Sequence, residues 1–161
     1  MGEILIDFIK NRYVIVPLAA WIIAQIAKMF INLLVNKELR FERLWGDGGM
    51  PSCHSAIVSS LMVTCGLGNG FDSDIFAVSF ILAVMLIHDA DGVRREAGKQ
   101  AVTLKKMDNI VNGEIADPDE HIRTEKLKEL VGHTPLQVAI GCIFGIAVAI
   151  VGHFVFDAIS M

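Results

Sequence analysis

Apolar residues along this chain gather in four runs separated by polar segments. The first reads Tyr13 to about Val35, long enough to cross about 30 Å of hydrocarbon at about 1.5 Å per residue. A second runs from about Ser55 to Leu67. It is short for a span, so it must begin inside the preceding loop or end in a thinned or protein-lined region. Gly66, Gly68, Asn69 and Gly70 break it, and Asp72-Ser73-Asp74 can cap the third run, Ile75 to His88. The fourth, Pro135 to Phe156, is the most apolar, and its Gly141 and Gly145 form a GxxxG pair, a weak helix-contact signal. Between the third and fourth runs, residues from Ala97 to about Asn112 have amphipathic helical spacing. A turn at Asp117-Pro118-Asp119 and a charged helix to Val131 follow. The pattern predicts an all-α polytopic membrane bundle of about four spans, with amphipathic helices in the 91–133 loop.

Composition agrees with that pattern. Of the 161 residues, 53% are hydrophobic and 20% charged, and the mean hydropathy is +0.54. The length allows one domain, 1–161. The net charge of −4 and the lack of a long basic tract argue against nucleic acid as a partner. Cys53, Cys65 and Cys142 have no metal-like spacing and are expected as thiols. The first apolar run carries Gln25, Lys28 and Asn32 and has no small-residue cleavage site after it, unlike a cleaved signal. With four spans, the Lys37–Cys53 and Asp91–His133 loops share one side and hold eleven Lys and Arg, against Lys10 and Arg12 on the other. The positive-inside rule then places the loops in the cytoplasm.

Three polar signals sit on that loop side. Gly48-Gly49-Met50-Pro51-Ser52-Cys53-His54-Ser55-Ala56 puts glycines, a proline and a serine at a helix start. Such a loop can aim backbone N–H groups and the helix dipole at an anion, with His54 placed to donate a proton. A glycine turn with a serine cap accounts for the same residues. Gly132-His133-Thr134-Pro135-Leu136-Gln137 fits a capping box at the head of the last run, with His133 just before it. His88-Asp89-Ala90-Asp91-Gly92-Val93-Arg94-Arg95, running on to Lys99, places carboxylates and arginines at the end of an apolar helix. They are costly there unless paired or functional. Asp91 and Arg95 suit an (i, i+4) pair, and Asp89 with Asp91 suits Mg²⁺, although carboxylates beside arginines point first to phosphate. Lys28 lies about seven residues inside the first run. It either snorkels to the surface or turns into the bundle to meet an anion.

On these motifs the chain resembles a divergent branch of the type 2 phosphatidic acid phosphatase and vanadium haloperoxidase superfamily, over nearly its whole length. The resemblance implies a helical bundle that hydrolyses lipid phosphates without metal or other cofactor. It makes His133 the nucleophile, His54 the acid that protonates the leaving group, and Ser52 a phosphate ligand. Three positions depart from the mainstream pattern. Leu127 stands where an arginine is expected six residues before the nucleophile, and Gln137 stands where an aspartate is expected four residues after it. The lysine-Arg-Pro motif has no clean match, leaving Lys28, Arg40 and Arg43 as candidates. Asp89 or Asp91, with Arg94 or Arg95, are the candidate replacements.

The expectation is therefore a membrane phosphatase acting on a lipid phosphate or polyprenyl diphosphate. His133, His54 and Asp89 are the candidate catalytic residues; Ser52, Arg94, Arg95, Lys28 and Lys99 are the candidate phosphate ligands; no residue is assigned to a metal. The alternatives are a binder or translocation component that has lost turnover, and a Mg²⁺-dependent phosphotransferase. Membrane lipid is the expected surroundings, and self-association is compatible with the chain.

Overall fold

A computed structural model describes residues 2–36, 50–92, 96, 98, 100–104, 107 and 134–160. Its continuous helices are α1 (Gly2–Lys10), α2 (Arg12–Asn36), α3 (Cys53–Asn69), α4 (Asp74–Asp91) and α5 (Pro135–Ser160). No strand occurs among the described residues. The four apolar runs become α2 to α5, each within a few residues of its expected limits. Residues 96, 98, 100–104 and 107 are helical, as the spacing from Ala97 predicts. There the small Gly98 and Ala101 are buried, while Val102, Leu104 and Met107 are exposed. The charged helix expected up to Val131 lies outside the described residues.

Local chemistry explains the helix ends. Asn11 separates α1 from α2, and its Oδ1 accepts the Tyr13 N–H at 2.9 Å, satisfying a donor that the first turn cannot. Ser73 caps α4 by accepting the Phe76 N–H at 3.3 Å. Gly70 closes α3 at φ +92°, a conformation that costs glycine little. At the head of α5 the expected capping box forms: Thr134 N–H donates to Gln137 Oε1 at 3.0 Å, and Gln137 N–H to Thr134 Oγ1 at 3.4 Å.

Burial runs opposite to that of a water-soluble domain. The inward row of α2 is Val16, Ala20, Ala24, Lys28 and Asn32, one residue every four. Trp21, Ile22, Ile23, Ile26, Phe30 and Leu34 of the same helix face out. On α3 the buried residues include Cys53, Ser55, Ala56, Ser59, Ser60, Thr64 and Gly66. Small and polar residues inside, with large apolar ones outside, is the arrangement expected where lipid is the solvent. There helices associate by close packing and hydrogen bonds rather than by hiding apolar surface from water. The protein is an all-α membrane protein. α2 and α5 are long and apolar enough to cross a bilayer. α3 has 17 residues, about 25 Å at helical rise. It starts inside the loop motif, at Cys53, and packs against α2, α4 and α5.

The glycine pair on α5 permits the tightest of these contacts. A Cβ at Gly141 would come 2.5 Å from the Ser52 carbonyl oxygen, and one at Gly145 would collide with the Ala56 carbonyl and Ser59 Oγ. With both absent, Ser59 Oγ reaches the Cys142 carbonyl at 3.2 Å, linking α3 to α5. The helix α1 was not expected. Its Ile4, Leu5, Phe8 and Ile9 alternate with Glu3, Asp7 and Lys10 at helical spacing, but over a stretch too short to stand out beside the spans.

Candidate functional site

The helix directions bring the loop motif together with three other segments. α3 and α5 start at the same end, where the Ser52 N–H donates to the Gln137 carbonyl at 3.1 Å. α2 reaches that level midway along its length: Ala24 packs with Cys53 and Ala56, and the Cys53 thiol donates to Gln25 Oε1 at 3.2 Å. α4 packs along α3 in the opposite direction and finishes there, with Asp89 in its last turn. One end of the bundle therefore gathers Gln25, Lys28 and Asn32 from α2, Ser52 and His54 from the head of α3, Asp89 from α4 and Gln137 from α5.

Within this group Lys28 is only 5% exposed. It lies one helical turn beyond Ala24, about 6 Å further along α2. Because α2 and α3 are antiparallel, that step carries it from the level of Cys53 towards Pro51 and Ser52. Of its two readings, the structure supports a side chain held inside the bundle over one that snorkels to the surface. Asn32, on the same row, is 9% exposed. His54 and Asp89 are half-buried.

Ser52 is fully buried and caps α3. Its Oγ accepts the Ser55 N–H at 3.4 Å and the Ser55 hydroxyl at 3.0 Å, and its own N–H is committed to Gln137. Two amides of the loop motif, those of Ser52 and Ser55, are thus held by protein acceptors. The serine-cap account of this loop is realised, and any anion at the loop must be met by other donors. Gln137, which replaces the expected aspartate, uses Oε1 to accept the Thr134 N–H.

His133, Arg94, Arg95 and Lys99 lie outside the described residues, as do Leu127 and the glycines before Met50. The backbone of Asp91 closes α4, but its side chain is not described. Cys53, Cys65 and Cys142 form no disulfide. The sequence reading missed the link from Gln25 to Cys53, although the shared helical face of Gln25, Lys28 and Asn32 was a signal for it. It also missed a charged cluster at the opposite end. Arg12 Nη1 lies 3.1 Å from Asp157 Oδ1, and His153 Nε2 lies 3.3 Å from Asp157 Oδ2. The (i, i+4) spacing of His153 and Asp157 was its only local trace.

The model of the divergent PAP2 family matches residues 9–148. YuiD, a membrane protein of Bacillus subtilis (strain 168), is 39% identical over 156 residues, covering 93% of this chain and 99% of that protein. No solved structure matches. The chain belongs to the divergent PAP2 family, a phosphatase-related family of membrane proteins.

Proposed function

We propose that the protein hydrolyses a lipid phosphate or polyprenyl diphosphate at the membrane surface. In this reading His133 attacks phosphorus and the bond to the leaving oxygen breaks, while His54 supplies that oxygen with a proton. Water then attacks the phosphohistidine, His54 takes up the water's proton, and phosphate leaves. Asp89 orients or compensates an imidazolium, and Lys28, Arg94, Arg95 and Lys99 hold the phosphoryl oxygens. No metal or cofactor enters. Positioning and cationic stabilisation would supply most of the rate enhancement.

The observation that carries this reading is Lys28, an ammonium only 5% exposed on the inward face of α2 beside the Pro51–His54 loop. Ionisable groups inside a membrane bundle mark functional sites, and this one lies at the level where a phosphoryl group would be held by the loop. The family relationship supports the same chemistry. Purified protein in detergent is expected to release phosphate from polyprenyl and glycerolipid phosphates. The reaction is expected to be blocked by vanadate, insensitive to chelators, and lost in His133→Ala and His54→Ala. No release across that panel would overturn the proposal.

A second reading, a lipid-phosphate binder without turnover, is favoured by Gln137. Its side chain closes a capping box at the position where the resemblance expects a carboxylate to support the nucleophile. Lipid-phosphate binding that survives both histidine substitutions, without hydrolysis, would select it.

We also infer four spans, α2 to α5, in a single domain, with the site on the cytoplasmic side. The support is the eleven-to-two distribution of Lys and Arg. Reporter fusions within residues 93–133 are expected to report a cytoplasmic location; an external one would reverse the orientation.

A further inference from the structure

We propose that a groove between α2 and α5 binds one phospholipid of the leaflet opposite the candidate site, its acyl chain in the groove and its phosphate at Arg12. The inference rests on α2 and α5 crossing the bilayer and not on any hydrolytic activity. The groove encloses about 390 Å³ and is lined only by apolar surface, including Ile15, Ala19 and Ile23 of α2 and Ala147, Val151 and Phe156 of α5. Small residues form its floor. Gly152 lets the helices close, since a Cβ there would lie 2.8 Å from the Val16 methyl groups. Branched and aromatic side chains form the walls.

Its length selects the occupant. From Ile15 to Ile23 the axis advances about 12 Å at helical rise, close to half of the roughly 30 Å hydrocarbon thickness. The groove's lining runs no further than Ile23 on α2 and Ala147 on α5. A helix of a second copy would follow the α2–α5 seam across both leaflets, whereas an acyl chain of one leaflet fits the half that is open.

The charge at its outer end selects the head group. The Arg12–Asp157–His153 cluster lies on the same two helices, one turn from Ile15, Val16, Val155 and Phe156 of the groove. A guanidinium has five N–H donors, and the contact with Asp157 engages one of its nitrogens. The remaining donors would meet the phosphate at the boundary where the acyl chain enters.

The test is native mass spectrometry of delipidated protein in detergent. It is titrated with phosphatidylethanolamine or with diacylglycerol carrying the same two chains. The wild type is expected to hold one phosphatidylethanolamine, and diacylglycerol roughly tenfold more weakly, the effect of one hydrogen bond to a charged group. Ala147→Phe fills the groove from an exposed position and is expected to abolish binding of both lipids while leaving the circular dichroism unchanged. Arg12→Gln is expected to remove only the preference for the phosphate. Equal binding of the two lipids by the wild type would overturn the proposal without any variant. So would wild-type lipid retention in Ala147→Phe, or a dimer that this substitution converts to monomer with lipid binding intact.

Discussion

Polar side chains are held differently at the two ends of this bundle. At the loop end three are buried, Lys28 at 5% exposure, Asn32 at 9% and Ser52 at 0%. At the far end the side chains of Arg12 and Asp157 keep 29% and 42% of their exposure and meet each other directly. A pair at the boundary costs little, because water still solvates both partners, and it contributes little to stability for the same reason. An ammonium inside the bundle carries a large desolvation cost, which the groups that meet it must offset. Under the proposed function, the exposed pair marks where a span ends and the buried ammonium is the charge that serves the chemistry.

Lys28→Met should break the comparison most sharply. Its thioether fills a similar volume without charge but leaves the groups that meet the ammonium without their partner, so thermal unfolding in detergent should occur at a lower temperature. Phosphate release from a polyprenyl phosphate should fall by roughly 10²-fold or more, the usual loss when one stabiliser of transition-state charge is removed. Arg12→Met should leave that rate unaltered. Equal losses in the two variants would mean that the ends do not differ in kind.

Gly145→Ala tests whether the loop end depends on close helix approach. The added methyl would collide with the Ala56 carbonyl and Ser59 Oγ. The helices must separate, at roughly 1–3 kcal/mol for overpacking, and the unfolding temperature should drop accordingly. Gly2→Ala, with nothing within 4 Å of the added carbon, should have no comparable effect.

Ser52→Ala distinguishes the cap from the ligand. Losing the acceptor for the Ser55 N–H should cost about 1 kcal/mol, read as a lower unfolding temperature. Ser52→Asn restores a capping acceptor but not the hydroxyl, so an activity loss in Ser52→Asn as large as that in Ser52→Ala would assign the hydroxyl a direct role with phosphate.

What was legible in the sequence was local. Ser73, Thr134 with Gln137, and Gly70 announce helix ends because a cap is made by residues three or four apart, whereas α3 runs through Gly66 and Gly68, which the sequence offers as breakers. The Gly141–Gly145 pair was visible but weak, since its meaning depends on what opposes it, and only the fold brings Ser52, Ala56 and Ser59 there. Burial of α3 on three sides was not legible either: its serines and threonine read as polar, yet Ser59 and Thr64 satisfy their hydroxyls on carbonyls of their own helix. For Lys28 the sequence admits two directions, and the inward one depends on α3 lying against that face of α2. The Arg12–Asp157 contact joins residues 145 positions apart, a separation that periodicity cannot bridge.

The smallest expected effect comes from the far end. Asp157→Asn removes the carboxylate shared by Arg12 and His153 but retains an oxygen that can accept from Arg12. Half-exposed pairs of this kind contribute about 0–1 kcal/mol, so the unfolding temperature should change little at low salt. The remaining difference should shrink further at high salt, where screening already weakens the wild-type pair. Phosphate release should stay at the wild-type level, because among the described residues no group at this end reaches the loop motif. A salt-independent loss of several kcal/mol would place Asp157 in the same class as a buried charge, and the distinction between the two ends would then rest on depth rather than on function.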